Sequence, residues 1–363
     1  MECDFRKIVG NFAADGEFLS CERYGEGHIN VTYKLTMLQG GKHVHYILQK
    51  INTRLFTDVG KLMHNIELVT DFCRKSVEKK GGDPMRECLN IVRTKDGKSY
   101  LKEGEAYFRM YVYIENAITY QIVRNANDFY ESAVAFGNFA NLLAEFDASQ
   151  LYEVLPDFHN TKKRYENFKR AVERDICGRK AQVQSEIDWM VGHSGLCGKI
   201  VDKIVAGEIP LRVTHNDTKL NNVMIDAETG KALAVIDLDT VMPGSPCYDF
   251  GDSIRFGCNS AAEDEPDLEK VHFRPDLYET YLKGYLSAAG TSITDSEKEN
   301  LAMGAILMTY ECGMRFLTDY LENDVYFHTT REGQNLDRTH TQMRLADEML
   351  ENYDSLQKLA NVR

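Results

Sequence analysis

Three side chains in the second half of the chain offer the groups that phosphoryl transfer needs. The stretch Val213-Thr-His-Asn-Asp-Thr-Lys-Leu-Asn-Asn222 reads His-x-Asp-x-x-x-x-Asn, and Ala234-Val-Ile-Asp-Leu-Asp239 follows as an apolar run ending in carboxylates. Asp217 is placed to accept the proton of an attacking hydroxyl. Asn222, through its side-chain oxygen, and Asp237 are placed to hold Mg²⁺ on nucleotide phosphates. Mg²⁺ takes hard oxygen ligands and keeps several waters, so one or two protein ligands suffice. His215 is expected to fix the loop by hydrogen bonds. Asp239 reads as a second ligand or as a support for the first. Asp249-Phe-Gly-Asp252 resembles a metal motif, but the metal carboxylate is already placed at Asp237. Asp249 therefore reads as a brace for the loop or as a helix N-cap.

These groups need elements to position them. Leu211, Val213 and Val223–Ile225 are short, apolar and rich in β-branched residues, which suits buried strands. With the turn Ala227-Glu-Thr-Gly230 and a further strand over Ala232–Leu238, they predict a hairpin carrying its functional groups at one end. Earlier in the chain, Leu19–Tyr24, Val31–Met37, Val44–Leu48, Leu89–Val92, Ser99–Leu101 and Ala106–Tyr113 read as strands. Between them Val59–Glu78 has apolar residues at helical spacing. Residues 1–115 are thus expected to form a lobe of antiparallel sheet plus one helix. Residues 116–363 turn mainly helical, with no flexible linker at the junction. Asp128 with Glu131 gives a capping signature, and Phe129, Phe136, Phe139, Leu143 and Phe146 make a core stripe. Further helical stretches are Lys162–Val191, Pro275–Leu286, Thr294–Tyr320 and Thr339–Leu359. The fold class is α+β in two lobes.

The first lobe carries the parts of a nucleotide site. Gly25 and Gly27 lie between two strand-like runs, where backbone amides can approach phosphate without a Cβ in the way. Strand Tyr46-Ile-Leu-Gln49 is where a phosphate-pairing lysine is expected, yet the residue is Gln49. Lys50 points to the opposite face of a strand and is no simple substitute. Either Gln49 meets phosphate as a neutral donor or another group supplies the charge. Glu67 is the candidate acidic partner on the helix, or else a solvated surface residue. Tyr111-Val-Tyr-Ile-Glu-Asn116, with Tyr113 at its centre, would read the base through backbone groups, which leaves ATP and GTP undistinguished.

Composition narrows the classes. The chain has 363 residues with 43 basic and 56 acidic side chains, a net charge of −13. A duplex nucleic-acid binder normally shows a basic face, so a nucleic-acid partner is not expected. The nine cysteines are scattered and none forms Cys-x-x-Cys, which fits free thiols in a reducing compartment. No signal layout or membrane-length apolar run is apparent, so a cytoplasmic location is expected.

Several segments together resemble one superfamily. They are Tyr24–Asn30, Tyr46–Gln49, Asn65–Thr70, Glu145–Gln150, Leu211–Asn222, Ile236–Gly244, Asp249–Gly257 and Glu311-Cys-Gly-Met-Arg-Phe316. Their order is similar to that in the aminoglycoside-phosphotransferase and choline-kinase superfamily, and within it to the N-acetylhexosamine 1-kinase family. The resemblance implies a two-lobed protein-kinase-like fold of the aminoglycoside phosphotransferase type. It implies ATP- and Mg²⁺-dependent phosphorylation of N-acetylglucosamine or N-acetylgalactosamine at the anomeric hydroxyl, with His28, Asp217, Arg315 and Tyr326 touching the sugar. No obligate protein partner is implied. Choline, homoserine, methylthioribose or an aminoglycoside as acceptor, or a catalytically silent nucleotide-binding regulator, are the competing readings.

Overall fold

A computed structural model describes residues 4–25 and 29–360. Gly27 and His28 lie outside the described residues. The strands are β1 (Glu17–Arg23), β2 (Val31–Gln39), β3 (Lys42–Lys50), β4 (Ile91–Val92), β5 (Leu101–Glu103), β6 (Ala106–Val112), β7 (Ala117–Ile118), β8 (Arg212–Thr214), β9 (Val223–Asp226), β10 (Ala232–Val235) and β11 (Met242–Gly244). The helices are α1 (Phe5–Val9), α2 (Val59–Lys79), α3 (Pro84–Glu87), α4 (Ala126–Leu142), α5 (Thr161–Arg174), α6 (Gln184–Gly192) and α7 (Val201–Val205). They continue with α8 (Pro246–Gly257), α9 (Pro275–Ala289), α10 (Asp295–Glu299), α11 (Leu301–Leu321), α12 (Gln334–Glu351) and α13 (Tyr353–Ala360). Among the described residues no helix is long and apolar enough to cross a membrane.

The chain divides into two compact units. The first comprises residues 1–118, 149–155 and 224–242; the second comprises 119–148, 156–223 and 243–363. The sequence suggests one junction between 115 and 116. The first unit runs on to Ile118 and also takes in the β9–β10 hairpin, because that hairpin pairs through β9 with β7.

In the first unit, β1-β2-β3-β6-β4 form an antiparallel sheet with β5 added to β6. Side chains alternate across it. Leu35, Met37, Leu48, Phe108 and Met110 enter a core closed by Ile8, Val9 and Phe12. The cross-strand pair Gln49 and Arg109 points to the other face, where the Arg109 guanidinium reaches Met63 of α2. Helix α2 starts at Asp58, whose carboxylate accepts Lys61 N–H. It is pinned through Asn65, which donates to Tyr152 O at 2.7 Å and Val241 O at 2.9 Å and accepts from Tyr152 N.

The second unit is helical. Helix α8 begins with the Ser245 cap and Pro246 at its first turn. It crosses α11 at paired glycines. A Cβ on Gly251 would lie 2.3 Å from Gly304 O, and one on Gly304 would lie 2.3 Å from Cys247 O. Only residues without side chains allow that approach.

Several sequence-based boundaries shift for local reasons. The stretch Lys162–Val191 is two helices, broken where Asp175 and Gly178 take positive φ. Thr294–Tyr320 is also two: Thr294 and Glu297 close a capping box over α10, and Asn300 then turns its amide back onto Ser296 O. Helix α12 begins earlier than expected, at Gln334, and Asn352 separates it from α13. The cap of α4 is Asn125 rather than Asp128, whose carboxylate is bound by Arg124.

Candidate active site

In the second unit, the loop after β8 is held by the first turns of α8. Asp249 accepts His215 N–H at 2.8 Å and Asn216 N–H at 2.7 Å. Asn216 itself has φ +63°, a conformation that Asn tolerates better than most residues. Thr218 N–H donates to Asp252, the Thr218 hydroxyl donates to Asp249 O, and Ser253 donates to Thr218 O. Asp252 is held in turn by Arg255, which also pairs with Glu263. Asp249 therefore braces the loop, the first of the two roles its sequence position suggests. His215 is completely buried, with Phe136 and Phe139 edge-on to its ring, and its Nδ1 accepts Asp217 N–H at 3.3 Å.

This scaffold presents Asp217 on a short rigid arc. Lys219 Nζ lies 2.8 Å from Asp217 Oδ1. Asn222 donates its amide to Asp217 O at 2.8 Å and to Asp217 Oδ2 at 3.2 Å. Burial works against the Asp217 charge, but Lys219, His215 and the Asn222 bond outweigh it and hold the carboxyl below its ordinary value. The same pairing raises Lys219. Asp217 is thus kept ionised, as an oriented acceptor of modest basicity. With the Asn222 nitrogen spent on Asp217, the oxygen end is the one suited to a hard cation.

In the first unit, β10 ends at Val235, two residues before Asp237. Asp237 takes φ +60° and starts the single 3₁₀ turn Leu238–Thr240. The sequence places Asp237 on the strand itself; the left-handed turn instead lifts it off the ladder. Asp239, buried, forms an ion pair with Arg109 and accepts from Asn30. Of its two suggested roles, support is the one its contacts serve. Asn30 also accepts Asn52 N–H, so the residue that bonds Asp239 ties the chain before β2 to the chain after β3.

Gln49 is engaged at both ends: Nε2 donates to Thr32 Oγ1 at 3.0 Å and Oε1 accepts Arg109 Nε at 2.9 Å. Glu67 pairs with Arg93 rather than with Gln49. Tyr113 follows β6, its hydroxyl 3.3 Å from that of Tyr24 and its ring beneath Lys34. Burial and this bond push Tyr24 up to about 12. Gly25 has φ +72° with open space where a Cβ would sit, a turn position that favours glycine.

Back in the second unit, Arg315 on α11 lies 5.2 Å from the Phe158 ring centre, 5.8 Å from Tyr326 and 5.4 Å from Phe327. These are cation–π distances. One turn later Asp319 accepts the backbone N–H groups of Val325, Tyr326 and Phe327, which fixes the loop bearing the exposed Tyr326. Glu311, one turn before Arg315, is fully buried between His159 and Thr161. Arg164, nearby, is lowered by burial and by the Arg315 charge.

Within each unit, the sequence-predicted residues fall into local groups: Asp217 with Asn222, Arg315 with Tyr326, and Asp237 beside Asp239. Sequence reasoning passed over Lys219, Asp252, Asp319, Asn30 and Arg109. A charged residue inside the apolar run Ala106–Val112 is the signal that marks Arg109. Among the described residues no cluster of three or more His, Cys, Asp or Glu is gathered for a metal.

The sequence profile of the phosphotransferase enzyme family matches residues 20–292. Solved structures of similar fold include an aminoglycoside phosphotransferase from Alicyclobacillus acidocaldarius, 12% identical, spanning 99% of this chain and 97% of that one at a TM-score of 0.66. A microcompartment-associated aminopropanol kinase is 13% identical over 97% and 98% of the two chains at 0.56. A choline kinase from Cryptosporidium parvum is 15% identical over 97% of each at 0.54. The fold is therefore the two-lobed α+β fold of these kinases.

Proposed function

The chain belongs to the phosphotransferase enzyme family, and we propose that it moves the γ-phosphoryl group of ATP, with Mg²⁺, to the anomeric hydroxyl of N-acetylglucosamine or N-acetylgalactosamine. Asn222 and Asp237 would hold the Mg²⁺, which neutralises phosphate charge when bound. Asp217 orients the acceptor oxygen and receives its proton. An anomeric hydroxyl is more acidic than an ordinary alcohol, and the transition state of phosphoryl transfer is loose. A carboxylate held below its usual pKa is then basic enough, because positioning does most of the work.

The observation that carries the acceptor reading is the setting of Arg315. A half-buried guanidinium set among aromatic rings, with Arg164 close by, repels an ammonium group. It suits hydroxyl and amide oxygens, while the ring faces cover the apolar side of a sugar. Choline and aminoglycosides are cations and fit this setting poorly.

The test is ADP release by the purified protein with ATP, Mg²⁺ and one acceptor at a time. Release with either N-acetylhexosamine, at a rate well above that with choline, ethanolamine or kanamycin, is the expected result. Faster release with a cationic acceptor would overturn the acceptor assignment and leave the family standing.

A further inference from the structure

Gln49 stands where a kinase lysine reaches the phosphates, and both ends of its amide are already bonded within the first unit. Directly across the strand pair stands Arg109, 1% exposed, bonded to Gln49 and ion-paired with Asp239. Burial opposes its charge, yet Asp239, with Asp237 also contributing, holds the guanidinium above its ordinary value.

We propose that Arg109 is the fixed cation of the nucleotide site, a positioning residue that replaces the strand lysine, and that its pair with Asp239 replaces the lysine–glutamate pair of other kinases. This rests on the phosphotransfer reading above. The charge count supports it. A strand lysine, a helix glutamate and a metal aspartate sum to one net negative charge, and so do Arg109, Asp239 and Asp237. The pair has moved from the helix to the turn that carries the metal carboxylate. Helix α2 is released from that role: Glu67 is taken by Arg93, and α2 is anchored through Asn65 instead. Asn30, just before β2, donates to the same Asp239, so this carboxylate joins Arg109 on β6 and the start of β2 to the turn that carries Asp237.

The test is calorimetric titration of ADP, with and without Mg²⁺, into the wild type, Arg109→Met, Arg109→Met with Gln49→Lys, and Asp239→Asn, with melting curves for each. Arg109→Met should weaken Mg²⁺–ADP binding by about tenfold or more, with a smaller change for metal-free ADP. Gln49→Lys in that background, which returns a cation to the strand, should recover a measurable part of the loss. A folded Arg109→Met protein that binds Mg²⁺–ADP within about twofold of the wild type would overturn the proposal. So would a loss that Gln49→Lys leaves untouched, since packing alone would then explain it. If Arg109→Met does not fold, the isosteric Asp239→Asn decides. It frees Arg109 to pair with Asp237, so Mg²⁺–ADP binding should again fall by about tenfold, and an unchanged affinity overturns the proposal. A wild type that binds no Mg²⁺–ADP counts against the phosphotransfer reading itself.

Discussion

Asp249→Asn isolates the brace beneath the loop that carries Asp217. The Asp249 carboxylate accepts two backbone N–H groups, from His215 and Asn216, at 2.8 and 2.7 Å. An asparagine keeps one acceptor and turns an NH₂ toward the other N–H. The lost bond costs about 1 kcal/mol, and leaving a buried donor facing a donor adds about 1–3 kcal/mol, for a total near 3 kcal/mol. For a unit of this size that is a fall of roughly 10 °C in melting temperature. Asn216 is already at φ +63°, so a relaxing loop shifts Asp217 with it. A displacement of about 1 Å costs on the order of 10²-fold in turnover. The assay is paired: melting by circular dichroism, and initial rates of ADP release at saturating substrates. Loss of both supports the brace. A variant that melts and turns over like the wild type refutes it, and would mean that the Thr218 bonds to Asp252 and to Asp249 O hold the loop alone.

Four further outcomes are expected. Asp217→Asn should abolish turnover while leaving Mg²⁺–ADP affinity nearly unchanged in calorimetry; equal loss of both would count against its role as proton acceptor. Arg315→Met should raise the acceptor KM by about tenfold or more with the ATP KM unmoved, and an unaltered acceptor KM would remove Arg315 from the pocket. Asn65→Ala strips three bonds from a buried site and should destabilise the protein by about 3 kcal/mol, read by urea unfolding. Burial opposes the Glu311 charge, but His159, Arg315 and Thr161 hold its carboxyl below the ordinary 4.5. Its ionised form therefore favours the folded state: the contribution is complete above that ordinary value and is lost as pH falls through the lowered one. Glu311→Gln should flatten the decline of melting temperature between about pH 5 and 3, and parallel curves would show that Glu311 contributes nothing there.

The sheet was legible because its strands alternate, as in Leu35 and Met37 or Tyr46 and Leu48 against their less buried neighbours. Helix α2 was legible because Leu62, Ile66, Val69 and Val77 keep one face. The helix breaks at Gly178 and Asn300 were hidden, since single turn residues inside a periodic run do not interrupt its apolar pattern. For the candidate site, spacing picked out Asp217, Asn222 and Asp237, because loop chemistry is local in sequence. It could not show that Asp237 sits on a left-handed turn. Arg109 and Asn30 meet Asp239 from distant segments, and such pairings depend on register across β2, β3 and β6. The same holds for Glu67: its helix position was readable, but whether it faced Gln49 or Arg93 depended on how α2 is rotated.

The most direct test of the central claim is a ³¹P NMR time course of the purified protein with ATP, Mg²⁺ and N-acetylglucosamine or N-acetylgalactosamine. The account predicts that the γ-phosphate resonance declines as a sugar phosphate resonance grows, coupled to the anomeric proton. A phosphate signal coupled to any other position of the sugar, or no transfer to either sugar beside clean transfer to choline, would contradict it.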